Sequence, residues 1–472
     1  MSTTHSRAAK EFLKDQKYAK WHDNTFWSVR TKRDNMAQGL DEWEQLREKA
    51  SAIKRHTITH LDEYLEDFST NAEKNGAIVH WAKDAQEFNE IVYGILECHK
   101  VKKMVKSKSM LTEECEMNPY LEARGIEVVE TDLGERIIQL KGQKPSHIVM
   151  PAIHLNHDDV GELFEEKGIS NEKGNHDPTY LTYRARLSLR NEFLTADAGM
   201  TGGNFGIAKT GDIVVCTNEG NADMSTSCPK LHIAAIGLEK VIPDYDCLAV
   251  FQRMLCRAGT GQPTTTYTSH FRKPRVVGNV HETHEAHEAH KTQNAQRGEY
   301  HIILVDNGRS DWVANPEHWE SLKCIRCGSC MNTCPVYRRS GGYSYSYFIP
   351  GPIGINLGML RSPQEHSGNV SACTLCLSCQ TVCPVKINLG DQIYLWRQQL
   401  ANFGTANPQK KLMCRAMSLL YGSSALYDLG TSLAHWANAL PSPLINCGLN
   451  PWAEGHAMME FPKKPFHSCP LS

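Results

Sequence analysis

The sequence predicts an α/β domain on a mainly parallel sheet, then a helical cysteine-bearing domain and a helical C-terminal extension. Two observations carry this. From about residue 77 to residue 250, short β-branched runs alternate with helical stretches, the pattern of a parallel sheet covered on both faces. Further on, eight of the 17 cysteines crowd between Cys324 and Cys383 in two runs of identical spacing. A chain of 472 residues also exceeds what one hydrophobic core supports, so several domains are expected.

Residues 1–75 read as a helical segment. Trp43, Leu46, Ala50 and Ile53, then Ile58, Leu61, Leu65 and Phe68, step by threes and fours until Asn75-Gly76 interrupts the pattern. The α/β domain is expected over 76–258. Its strands are read at Ala77–Val79, Ile126–Val129, Arg136–Leu140, His147–Met150, Asp212–Cys216 and Leu231–Ile236, and Phe88, Ile91, Val92, Ile95 and Leu96 mark one intervening helix. Residues 259–300 read as a linker. They hold a Thr/Pro-rich stretch and the tract His281-Glu-Thr-His-Glu-Ala-His-Glu-Ala-His290, too polar to offset the entropy of ordering. The cysteine-bearing domain is expected over 301–392, opening with a strand at His301–Val305 and a turn at Asp306–Arg309. Helical patterns resume over 393–472.

Composition narrows the function. Apolar residues at 40% and charged residues at 22% fit an ordinary globular protein. A net charge of −2 lacks the basic excess that phosphate neutralisation needs, so no nucleic-acid partner is expected. Met1 to Trp21 has no apolar core of a secretion signal. No window reaches the ~18 uncharged apolar residues of a membrane span; the nearest, Leu412 to Leu444, contains Arg415, Asp428 and His435. The expectation is a cytoplasmic protein, with peripheral membrane association left open. In a reducing compartment cysteines serve as ligands or buried thiols rather than disulfides. Cys98, Cys115, Cys216, Cys228, Cys247 and Cys256 show no ligand spacing and read as core thiols. Cys414, Cys447 and Cys469 receive no role.

The two runs are Cys324-Ile-Arg-Cys327-Gly-Ser-Cys330-Met-Asn-Thr-Cys334-Pro335 and Cys373-Thr-Leu-Cys376-Leu-Ser-Cys379-Gln-Thr-Val-Cys383-Pro384. Both have the C-x2-C-x2-C-x3-C-P spacing of two-cluster ferredoxins, in which the fourth cysteine ligates the other cluster. On that logic Cys324, Cys327, Cys330 and Cys383 hold one [4Fe–4S] cluster, and Cys373, Cys376, Cys379 and Cys334 hold the second. Zinc, the competing reading, ordinarily uses two C-x2-C knuckles across a longer loop. The insertion between the runs, with Gly341-Gly-Tyr-Ser-Tyr-Ser-Tyr347, suits a helical two-cluster electron conduit.

Other signals are weaker. Gly199-Met-Thr-Gly202-Gly203-Asn-Phe-Gly206 matches no nucleotide-binding spacing and reads as a tight turn. Glu219 follows the strand ending at Cys216, and loops at the carboxyl ends of parallel strands bind ligands. It is the candidate catalytic residue, against a plain turn role. His154, His157, Asp158 and Asp159 could serve acid–base or metal chemistry, against a helix N-terminal loop. Lys102, Lys103, Lys106 and Lys108 could attract a carboxylate, against a solvated face.

Lys106-Ser-Lys-Ser109, Thr201-Gly-Gly-Asn-Phe-Gly-Ile-Ala-Lys-Thr-Gly211, Thr217-Asn-Glu-Gly-Asn221, Asp306-Asn-Gly-Arg309, Pro350-Gly-Pro-Ile-Gly354 and both cysteine runs together resemble the lactate utilization iron–sulfur proteins, B subunit, over about residues 40–440. The resemblance implies a first domain similar to the CoA-transferase and sugar-phosphate isomerase group, followed by an α-helical ferredoxin-type domain. It implies work with two other lactate-utilization subunits, one a cysteine-rich iron–sulfur protein, in NAD-independent oxidation of L-lactate to pyruvate, passing electrons to an unidentified acceptor. The His-rich tract has no counterpart in that pattern. A different class also fits the residues: a ligand-binding or acyl-transfer enzyme using Glu219, with structural or redox-sensing clusters. A third reading is a scaffold that only docks partners.

Overall fold

A computed structural model describes residues 4–277, 296–402, 408–441 and 461–462. Its strands, in chain order, are β1 Ile78–Ala82, β2 Lys103–Lys106, β3 Glu127–Glu130, β4 Ala198–Gly202, β5 Phe205–Ile207, β6 Asp212–Thr217, β7 Leu231–Gly237, β8 Val241–Ile242, β9 Tyr267–Phe271, β10 Val276–Val277, β11 Gln296–Arg297 and β12 Glu299–Val305. Six of them make a sheet in the order β1-β12-β7-β4-β2-β3, parallel at every pairing. All seven residues of β7 are buried, as a strand covered on both faces must be. Phe88, Val92 and Leu96 cover one face; Leu65, Phe68 and Ala72 cover the other. Each fully buried phenylalanine contributes roughly 1.5–3 kcal/mol. The helix Ala85–Cys98 starts where the Asp84 side chain accepts from the Glu87 amide, and helices Trp43–Thr59 and Leu61–Lys74 follow the predicted stripe.

Several elements differ from expectation. Arg136–Leu140 is not a strand but part of the helix Leu133–Lys141, capped by Asp132 and closed by Gly142 at φ 68°. His147–Met150 is a bend, in which His147 Nδ1 accepts from the amides of Val149 and Met150, both at 3.0 Å. The strand through Asp212–Cys216 sits in a separate four-stranded sheet, β8-β5-β6-β9, antiparallel to both its neighbours. Its partner β9 lies inside the expected linker. His301–Val305, read as the start of the cysteine-bearing domain, belongs to β12, between β1 and β7. The histidine tract 281–290 lies outside the described residues.

Residues 2–396 form one compact unit, so the cysteine-bearing segment is built onto the α/β body. Residues 397–472 form another. In it, Pro408–Tyr421 and Ser424–Ala434 are helices that meet where Leu420 lies over Gly430. Cys414 is exposed there; Cys447 and Cys469 lie outside the described residues. Among the described residues, no helix is long and apolar enough to cross a membrane.

Candidate functional site: two cysteine nests and an adjoining cavity

The two cysteine runs fold alike. In the first, Arg326 turns left-handed at φ 59° and its amide donates to Cys324 Sγ at 3.4 Å. Gly328, at φ 80°, opens the short helix Ser329–Thr333 that carries Cys330, and the Cys334 sulfur accepts from the Tyr337 amide at 3.5 Å. In the second, Leu375 turns at φ 55° and donates to Cys373 Sγ at 3.3 Å. Leu377 at φ 59° opens the helix Ser378–Val382 with Cys379, and Cys383 Sγ accepts from the Ile387 amide at 3.4 Å. Left-handed backbone costs about 1–2 kcal/mol at a non-glycine residue, and the amides it turns toward sulfur suit thiolates. Thr333 and Ser378 hydroxyls, 2.5 Å apart, join the runs.

The thiols sort by neighbourhood. Burial pushes Cys383 up to about 12, and nearby Cys327 and Cys324 add to the shift. Cys334 rises to about 11, mainly by burial, with Cys373 and Cys376 raising it further against the amides of Tyr337 and Val336. Cys379 is raised by burial, then by Cys334, Cys373 and Cys376. Such thiols lose their protons on binding metal. Among the described residues no three of these sulfurs lie within 4.8 Å of one another. Four sulfurs on one zinc would stand ~3.8 Å apart, closer than any three of these thiols stand to one another. None of the described cysteines is in a disulfide.

The N-terminal helices brace these nests, a role invisible in the sequence. Arg47 Nε donates to the Cys383 carbonyl and Arg33 Nη2 to the Val382 carbonyl, both at 3.0 Å. Asp23 pairs with Arg338 at 2.8 Å. Buried Lys54 donates to the Glu239 carbonyl. Lys240, half-buried, is pulled down to about 8, chiefly because the surrounding protein shields it from water. Both lysines feel Cys324, whose negative charge favours their protonated form against the opposing effect of burial. Tyr345 is buried next to Cys334.

A cavity of about 340 Å³ adjoins the first nest, with Cys327 and Arg326 in its wall. It lies at the carboxyl ends of β2, β4 and β7, where β3 and β4 flank β2 on opposite sides and ligands of such sheets bind. The glycine run shapes this place. A Cβ on Gly199 would stand 1.7 Å from the Ser225 carbonyl, and one on Gly202 2.9 Å from Ser109 Oγ. Thus the run allows close packing and leaves room in the cavity.

Glu219 lines the mouth of the cavity, and its Oε2 accepts from the Leu133 amide at 2.9 Å. Solvent reaches it there, which tempers the upward push on its carboxyl. That push takes it to about 7, first through burial by the surrounding protein and then through the neighbouring Asp132 carboxylate. Of the four lysines, Lys108 lines the cavity and donates to the Val149 carbonyl at 2.7 Å. Lys106 is buried in an ion pair with Glu130 at 2.7 Å, Lys103 pairs with Glu192 at 2.7 Å, and Lys102 does not line the cavity. Nor do the histidines. His154 bonds Ser146 Oγ at 2.8 Å and is lowered to about 4, mainly by burial. His157, Asp158 and Asp159 start the helix His157–Glu166 in a capping box with Asn156. Sequence reading missed Asp132, Lys240, Arg309 and Arg326. Arg309 holds Glu114 by two bonds, at 3.0 and 2.8 Å, and also Glu239. Arg326 keeps a buried Nη1 with no hydrogen bond, beside Cys327.

Comparison with known proteins agrees with this architecture. Residues 65–305 match the LUD domain, and residues 320–387 match the 4Fe-4S dicluster domain. With the donor sets above, that gives the chain two [4Fe–4S] clusters. It is 40% identical over 411 residues to "Lactate utilization protein B" of Anoxybacillus flavithermus, covering 86% of this chain and 83% of that one. The protein of the same name in Shouchella clausii is 38% identical, covering 90% and 86%, and that in Geobacillus thermodenitrificans 41%, covering 85% and 82%. A crystal structure of a DUF162 family protein from Deinococcus radiodurans aligns over 52% of this chain and 98% of its own at 13% identity, with a TM-score of 0.27.

Proposed function

This chain belongs to the lactate utilization protein B family, and we propose that it is the iron–sulfur electron-transfer subunit of a multi-subunit complex oxidising L-lactate to pyruvate without NAD. Its role in lactate utilization follows from the family. What supports the finer reading is the cavity, which shares Cys327 with the first cysteine nest. In this reading Cys324, Cys327, Cys330 and Cys383 hold one cluster, and Cys373, Cys376, Cys379 and Cys334 the other. Each bound cluster supplies reversible one-electron transfer.

The chain's own residues supply the rest. Lys108 and Arg326 attract a carboxylate into the cavity. Glu219, poised near neutrality, takes the hydroxyl proton as lactate becomes pyruvate. That oxidation releases two electrons and two protons: Glu219 holds the hydroxyl proton, and the electron pair leaves together with the carbon-bound hydrogen to a first acceptor that belongs to a partner, since no flavin motif occurs in this chain. The partners are two further lactate-utilization proteins, one of them cysteine-rich. Glu219 in a cavity also sustains the second reading, a ligand-binding or acyl-transfer domain; there, substitutions at the cysteines would leave turnover intact. The deciding experiment mixes cluster-replete chain, L-lactate and an artificial acceptor, and follows pyruvate. The chain alone should make none, and turnover should begin once both partners are added. Steady pyruvate formation by this chain alone would overturn the assignment.

A further inference from the structure

We propose that His99, Glu299 and His301 form a separate binding site for a divalent first-row cation of the zinc class. Glu299 and His301 stand two residues apart in β12 and so project from the same face of the strand. His99 closes the helix Ala85–Cys98 as its C-cap and comes over that face. Glu299 Oε2 lies 3.1 Å from His99 Nε2 and 3.3 Å from His301 Nε2. The three ligand atoms are mutually within 4.8 Å, the one such trio of His, Cys, Asp or Glu among the described residues. Ligands bound to zinc at ~2.0–2.2 Å in a tetrahedron stand roughly 3.3–3.6 Å apart, so little movement closes the site.

The surroundings fit a metal better than a chance meeting. His301 Nδ1 is 3.0 Å from His80 Nε2, and the two rings are stacked. A metal-bound imidazole ordinarily holds a partner on its other nitrogen, which fixes the tautomer; without metal the Glu299 carboxylate accepts from His301 Nε2, and metal binding would shift that proton to Nδ1, where His80 Nε2 stands ready to accept it. Two histidines and one carboxylate make a mixed donor set used for zinc. His99 and Glu299 remain partly exposed, at 31% and 49%, so water completes the coordination. The trio gathers at the amino end of β12, while the cavity opens at the carboxyl ends of the sheet. Bound metal would therefore fasten the end of one helix to β12 without touching the electron path.

The test uses the full-length, cluster-loaded chain, kept anaerobic, with His281, His284, His287 and His290 changed to alanine so that the tract takes no metal. After incubation with zinc chloride and gel filtration, elemental analysis should find about one zinc beside the ~8 irons, with only nitrogen and oxygen ligands by zinc-edge X-ray absorption. His301→Ala should lower zinc affinity at least a hundredfold. His80→Phe, which removes the supporting bond, should lower it about 10–100-fold. His99→Ala, at the surface, gives the same readout with the fold secured by an unchanged iron content. No retained zinc, zinc bound through sulfur, or undiminished affinity in both His99→Ala and Glu299→Gln would overturn the proposal.

Discussion

Replacing Cys334 by alanine tests how eight thiols are shared between two clusters. Cys334 stands at the end of the first run, yet the thiols that crowd it are Cys373 and Cys376 of the second. Cys383, at the end of the second run, is crowded by Cys327 and Cys324 of the first. Two intact cubanes give about eight irons per chain. Cys334→Ala should therefore cost one to four irons, all from the cluster on Cys373, Cys376 and Cys379. Pairing the substitutions makes the assignment sharp, because changes acting on one unit are not additive while independent ones are. Cys334→Ala with Cys376→Ala should still keep about four irons, since both strike the same cluster. Cys334→Ala with Cys327→Ala strikes both clusters and should keep fewer irons than that pair. The assay is iron and sulfide content after anaerobic purification, with electron paramagnetic resonance of the dithionite-reduced protein. The opposite pattern, iron retained in the second pair and lost in the first, would refute crossed ligation.

Glu219→Gln should sharply reduce lactate-dependent turnover of the assembled complex while iron content stays unchanged. In the unaltered complex turnover should fall as pH drops through about 7, where Glu219 takes up its proton, and the variant should lose that step in the pH profile; full activity in Glu219→Gln would reduce it to a turn residue. Arg309→Met strands Glu114 and Glu239, whose side chains are only 5% and 3% exposed, at a cost of about 3–5 kcal/mol. The urea midpoint should drop accordingly and recover in part when Glu114→Gln and Glu239→Gln are added; a lone substitution that leaves the midpoint unmoved would contradict the pairing.

Where neighbours in sequence decide the structure, it was legible. The spacing of Leu46, Ala50 and Ile58 marked a buried helix face, and all three are buried. The β-branched run at Ile126–Val129 marked β3. Arg136–Leu140 misled because Ile137 and Ile138 mimic a strand, while the cap at Asp132 and the stop at Gly142 outweighed them. Distant pairings left no local trace. Nothing near Asp212 says that β6 runs antiparallel in a second sheet, and nothing near Arg33 or Arg47 says that they bind carbonyls beside Cys383. The cavity shows the same division. Glu219 was visible because it follows a strand. Lys240 and Arg326 were not, since the first ends a short helical turn after β7 and the second lies hidden among cysteines.

The place of β12 has a consequence for how the protein is made. β1 has β12 as its one partner in the sheet, and β12 leaves the ribosome after every other strand among the described residues. A growing chain that ends before residue 299 therefore holds an orphaned first strand and a sheet open along β7. Only when Val305 has emerged can the body close, and the iron-binding runs follow directly behind it. The order of synthesis thus favours a finished platform before the first cysteines arrive for loading. A gene cut in the polar stretch after residue 258, where composition invites the cut, would separate a strand from the centre of its own sheet.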